Sequence, residues 1–62
     1  MKYGELKMKL KWQNCYKVRD GVNHEIWYSG ITGCLFTVGR HDSEEVKTGT
    51  LRSIVKISGI KI

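Results

Sequence analysis

Two histidines, His24 and His41, carry the proton chemistry available to this sequence near neutral pH. An imidazole with its ordinary pKa of about 6.5 can take a proton in one step and return it in the next. Cleaving a ribose phosphodiester without a metal needs a base for the 2′-hydroxyl, an acid for the leaving 5′-oxygen, and cations to hold the phosphate. Each histidine has cations close by in sequence. Lys17 and Arg19 precede His24 across an Asp20-Gly21 pair, and Arg40 directly precedes His41. A lone strand histidine is commonly structural; what singles out His24 is its place three residues after a turn glycine, at an edge open to a bulky polymer. Trp27 and Tyr28 follow as stacking surfaces for unpaired bases, at least one of them expected in the core. His41 has a plainer reading, a hydrogen bond to Asp42 or the loop backbone that shapes the entry to the next helix.

Other chemistries find little support. Asp42, Glu44 and Glu45 lie close together beside His41, but a catalytic divalent-ion site needs carboxylates converging from separate elements. They read as a solvated charged loop that favours the positive end of the following helix. Cys15 and Cys34 are too few for a disulfide framework and match no zinc or redox spacing. As free thiols in strands they would pack as small apolar residues, which suits a reducing cytoplasm. No Gly-rich phosphate loop, Ser-His-Asp set or Cys-His pair is legible.

These residues must be positioned by elements that the periodicity predicts. From Gly4 to Trp12, Leu6 and Leu10 repeat at four, as do Met8 and Trp12, which predicts a short amphipathic helix closed near Asn14. Cys15 to Arg19 alternates, Tyr16 and Val18 on one side and Lys17 and Arg19 on the other, the period of a half-buried strand. Asp20-Gly21 favours positive φ and predicts a tight turn into a second strand, Asn23 to Tyr28. Strand parity groups His24 with Ile26 and Tyr28, an apparent core face, so the histidine is expected where the sheet edge leaves the helices' cover. A second turn through Gly30 and Gly33 leads to a third strand, Cys34 to Val38. A polar loop follows, then a helix with Thr48 as N-cap, a Leu51, Ile54, Val55, Ser58 stripe, and an end at Gly59 onto which Ile60 folds back. The order α-β-β-β-α is an α+β pattern with a three-stranded antiparallel sheet and both helices on one face, the topology of the double-stranded RNA-binding domain (dsRBD).

Size and charge narrow the function further. Sixty-two residues make one domain, and a chain of about 60 residues buries only about 60% of its unfolded surface, which leaves no room for a deep pocket or a cofactor domain. Eleven lysines and arginines against six acids give a formal charge of +5, a field that attracts polyanions and makes nucleic acid the leading partner class. Excess charge can also serve solubility alone. The basic N-terminus lacks the apolar run of a signal peptide or membrane span, so no membrane association is expected.

With these residues laid out, the chain resembles the HicA (YcfA-like) toxins of bacterial toxin–antitoxin modules along almost its whole length. The likeness rests on Val18-Arg19, on Gly21-Val22-Asn23-His24, on Phe36-Thr37-Val38-Gly39-Arg40-His41, and on Lys47 to Ile54 with Gly59-Ile60. Gly-x-x-His alone is a weak signal; all four pieces in order and spacing are a strong one. The resemblance implies one toxin domain over residues 1–62 with a dsRBD-like fold. It also implies a cytoplasmic, metal-independent endoribonuclease, without a small-molecule cofactor, that cleaves mRNA and arrests translation. Its partner would be a HicB-type antitoxin that blocks the active site. By the same resemblance His24 matches the catalytic histidine, with Lys17, Arg19, Arg40 and His41 as candidate RNA-binding residues. Val22, Asn23 and Gly39 stand where the family usually has Ser, often a second His, and frequently Pro. The competing reading is a non-catalytic RNA-binding module using the same basic face.

Overall fold

The computed structural model describes all residues, Met1 to Ile62. The order is α1 (Tyr3–Trp12), β1 (Cys15–Asp20), β2 (His24–Ser29), β3 (Leu35–Gly39) and α2 (Thr48–Ser58). The strands form one antiparallel sheet in the order β1-β2-β3. A single core joins Tyr3, Leu6 and Leu10 of α1 and Ile54 of α2 to Cys15, Trp27, Phe36 and Val38 of the sheet. Both helices therefore cover one sheet face, and the fold is the expected α+β, dsRBD-like arrangement.

The elements close much as their residues dictate. Asn14 adopts φ 67° after α1, and Gly59 adopts φ 75° after α2 with its N–H bonded to the Val55 carbonyl. These are left-handed positions, which asparagine tolerates and glycine occupies without a Cβ clash. Ile60 is buried beyond Gly59, as the folded-back closure requires. Thr48 is not the N-cap: it is the first helical residue, Lys47 holds the cap position, and no side chain caps the helix.

Several faces differ from the sequence expectation. In α1 the buried stripe is Tyr3, Leu6, Lys7 and Leu10, while Met8 and Trp12 are exposed. Tyr16 and Val18 are exposed rather than half-buried, and Cys34 is exposed just before β3. The parity of β2 is as expected but its faces are exchanged. Trp27 and Ser29 are buried, with Glu25 on the same row, whereas His24, Ile26 and Tyr28 lie on the open side. The acids of the 39–47 loop serve the start of α1 instead of α2. The Asp42 and Glu44 carbonyls accept the N–H groups of Gly4 and Tyr3, and the Glu45 carboxylate pairs with the N-terminal ammonium.

Gly39 fixes where α1 meets the end of β3. A Cβ built there would lie 2.7 Å from Cζ of Tyr3 and 2.9 Å from two further ring carbons. Tyr3 is itself buried, so the ring has nowhere to retreat, and a proline at 39 would meet it as well. Gly39→Ala is expected to cost about 1–3 kcal/mol through overpacking, readable as a lower urea midpoint with an unchanged slope.

Candidate functional site

His24 opens β2, paired across the sheet with Gly39 at the end of β3. Its strand emerges from a three-residue connection, Gly21 to Asn23, not from a tight two-residue turn, and Gly21 does not have positive φ. Glycine is needed at 21 for a different reason. A Cβ there would stand 2.9 Å from the His24 carbonyl oxygen and 3.4 Å from Cδ2 and Nε2 of its ring. The bare Cα thus leaves the Nε2 side of the imidazole uncrowded, and the ring is part-exposed.

The Gly21 peptide also ties the site together. Its N–H donates to the His24 carbonyl at 2.7 Å, and its carbonyl accepts from the Arg40 guanidinium at 2.5 Å. One short turn thereby links the imidazole that opens β2 to a cation just past the end of β3. Arg40 keeps donors to spare, since one N–H of five is used. Gly21→Ala, which drives a methyl group against the His24 backbone carbonyl and towards its ring, is expected to lower any His24-dependent rate by about ten- to a hundred-fold and to cost about 1–3 kcal/mol of stability as well. A parallel rate assay and thermal melt would separate the two effects.

A β-bulge decides the placement of the other cations. The β1–β2 register pairs Lys17 with Trp27 but Arg19 with Ile26, shifting between Lys17 and Arg19. Directly paired residues share a sheet face, so Arg19 joins the open face of His24 while Lys17 falls to the other. Lys17 reaches the Asp20 carboxylate at 3.2 Å in an exposed ion pair. His41 lies exposed in the loop after Arg40, its carbonyl accepting the Glu44 N–H, and no hydrogen bond joins its ring to His24. The structure thus puts His24 and Arg19 on one face and ties Arg40 to the turn that precedes His24, while Lys17 falls on the other face and His41 in the loop.

A supporting cluster beneath the site had no signature in the sequence. Lys7 of α1 points its ammonium between the Asp42 carboxylate, 2.6 Å away, and the Glu25 carboxylate, 3.2 Å away. It also donates to the Arg40 carbonyl at 3.3 Å. Glu25 in turn accepts from the Trp27 indole N–H at 3.0 Å. Burial pulls the Lys7 ammonium down, but the hydrogen bonds and charges of Asp42 and Glu25 together outweigh it and its pKa is raised. The hydrogen bond from Lys7, with its charge, holds the Asp42 carboxyl below the usual value. Glu25, next to His24, and the backbone of Arg40 are thereby anchored to α1. Lysines at 7, 9 and 11 look alike in sequence; only its place on the Leu6–Leu10 stripe distinguishes Lys7.

No three acidic, histidine or cysteine side chains are grouped as a metal site would require. No helix is long and apolar enough to cross a membrane. The model of a family described as the HicA toxin of bacterial toxin–antitoxin matches residues 5–60. No curated protein and no solved structure matches the chain.

Proposed function

Because the chain belongs to the HicA toxin family of bacterial toxin–antitoxin modules, we propose that it is an mRNA endonuclease whose proton chemistry is carried by His24. A toxin of such a module has an antitoxin partner; we read that partner as HicB-type, the compartment as the cytoplasm, and residues 1–62 as a single toxin domain. The observation that carries the reading is the shared turn: Gly21 leaves the His24 ring uncrowded and its carbonyl binds the Arg40 guanidinium.

In the proposed reaction the ribose 2′-oxygen attacks the adjacent phosphorus and the bond to the 5′-oxygen breaks. His24 removes the 2′-hydroxyl proton or supplies one to the leaving oxygen, and solvent exchanges the other proton. Arg40 and Arg19 neutralise the phosphate as charge builds on its oxygens. Lys17 and His41 hold flanking phosphates and set register more than rate. The imidazole and its cations supply this chemistry without a metal-bound water, so the products are a 2′,3′-cyclic phosphate and a 5′-hydroxyl.

Incubating the purified chain with a defined RNA in EDTA tests the proposal. Cutting supports it; RNA that shifts on a gel at every protein concentration but stays whole supports a binding module instead, its affinity falling steeply with salt.

A further inference from the structure

We propose that the open face of the sheet is a stacking platform for unpaired RNA bases, with Tyr16 and Tyr28 as the residues that select single-stranded over duplex substrate. This rests on the reading of the chain as an RNA endonuclease and names the form of RNA that its site takes. The helices cover the face that carries Cys15, Trp27, Phe36 and Val38. On the uncovered face the cross-strand rows are Tyr16–Tyr28–Leu35 and Arg19–Ile26–Thr37, with His24 beyond them at the start of β2. The first row is aromatic and reaches solvent: Tyr16 is 52% and Leu35 60% exposed, with Tyr28 half-buried between them. The two tyrosine rings are 5.6 Å apart at 48° and so present tilted surfaces.

Charge argues for the occupant. The strands' two acids, Asp20 and Glu25, pair with each other in the register and belong to the other row, where Lys17 and Lys7 neutralise them. The open rows carry no carboxylate. Their cation Arg19 lies on the side towards His24, and Arg40 closes that end through Gly21. An apolar, aromatic end followed by a cationic, imidazole-bearing end matches a strand of RNA whose bases are free and whose phosphates follow. A duplex keeps its base faces inside the stack and cannot use the tyrosines. Four residues separate Tyr28 from His24 along β2, about 13 Å, so bases seated on the tyrosines would direct the following phosphates to the imidazole. RRM domains stack two or three bases on an open sheet of this kind.

The test uses a short 2′-O-methyl oligoribonucleotide, which the enzyme cannot cut, presented single-stranded or annealed to its complement. Anisotropy titrations would compare the wild type with Tyr16→Ala, Tyr28→Ala, Tyr28→Phe, His24→Ala and Trp12→Ala, the last altering an exposed aromatic outside this face. Thermal melts would confirm that each variant is folded. The expected result is tighter binding of the single strand than of the duplex. Each tyrosine-to-alanine change should weaken single-strand binding about five- to a hundred-fold and leave duplex binding unchanged. Tyr28→Phe, His24→Ala and Trp12→Ala should bind as the wild type does. Alanine variants that bind the single strand with wild-type affinity, or a wild type that prefers duplex, would overturn the platform. Since this RNA cannot be cut, the platform stands or falls separately from catalysis. The expected binding pattern in a protein that cleaves nothing removes the nuclease and keeps the platform. Cleavage indifferent to both tyrosines does the reverse.

Discussion

His24→Ala is expected to lower RNA cleavage about 10²–10⁴-fold, the usual contribution of a positioned acid or base. RNA affinity and folding should be nearly unaffected. The ring is part-exposed at the sheet's end and makes no hydrogen bond, so its loss removes little packing, and such surface changes stay within about 0.5 kcal/mol. The cations that neutralise phosphate remain, Arg40 still bound to the Gly21 carbonyl. Single-turnover rates in EDTA, beside binding of uncleavable RNA, would measure both limbs. A variant that loses binding and stability together with rate would reveal a structural histidine.

The second large effect concerns stability. Lys7→Ala is expected to cost about 3 kcal/mol, because it leaves the nearly covered Glu25 carboxylate without its cation. The Lys7 and Glu25 side chains are only 10% and 13% exposed, whereas Asp42 is 70% exposed. The Glu25 pair therefore dominates and the screened Asp42 pair adds little. A domain this small has only about 3–5 kcal/mol of net stability, so the variant would keep about 0–2 kcal/mol, and between a few per cent and about half of it would be unfolded at room temperature. Urea titration measures the loss; a second change, Glu25→Gln, should recover part of it by removing the stranded charge, and a loss under about 1 kcal/mol would contradict the account. The pH dependence has a fixed sign. Asp42 titrates lower folded than unfolded, so its contribution is present above the ordinary value of 3.8 and is lost as pH falls through the folded one. Lys7 titrates higher when folded, so its contribution is complete below 10.5 and lost as pH rises beyond that.

Element order, the glycine that closes α2 and the three-strand meander were legible in the sequence because each depends on local chemistry: period, turn residues and a left-handed cap. The faces of the sheet were not. The buried row of β2 is Glu25, Trp27 and Ser29, which reads as more polar than the open row His24, Ile26 and Tyr28. Partners distant in sequence make it burial-compatible. Lys7 neutralises Glu25, and the Ser29 hydroxyl donates to the Ser58 carbonyl at 2.5 Å. Alternation also grouped Lys17 with Arg19, and only the bulge between them separates the two faces. His24 itself was legible through its turn glycine, but the function of that glycine lay in its approach to the ring and not in a positive φ.

The central claim is that one imidazole beside an arginine-pinned turn moves the protons of a ribose phosphodiester. The most direct measurement is the chemistry of the ends left on a defined RNA cut in EDTA. The account predicts a 2′,3′-cyclic phosphate on one fragment and a 5′-hydroxyl on the other, formed by the wild type and at a rate reduced by at least about a hundredfold in His24→Ala. A 5′-phosphate product, or equal cutting by the variant, would contradict it.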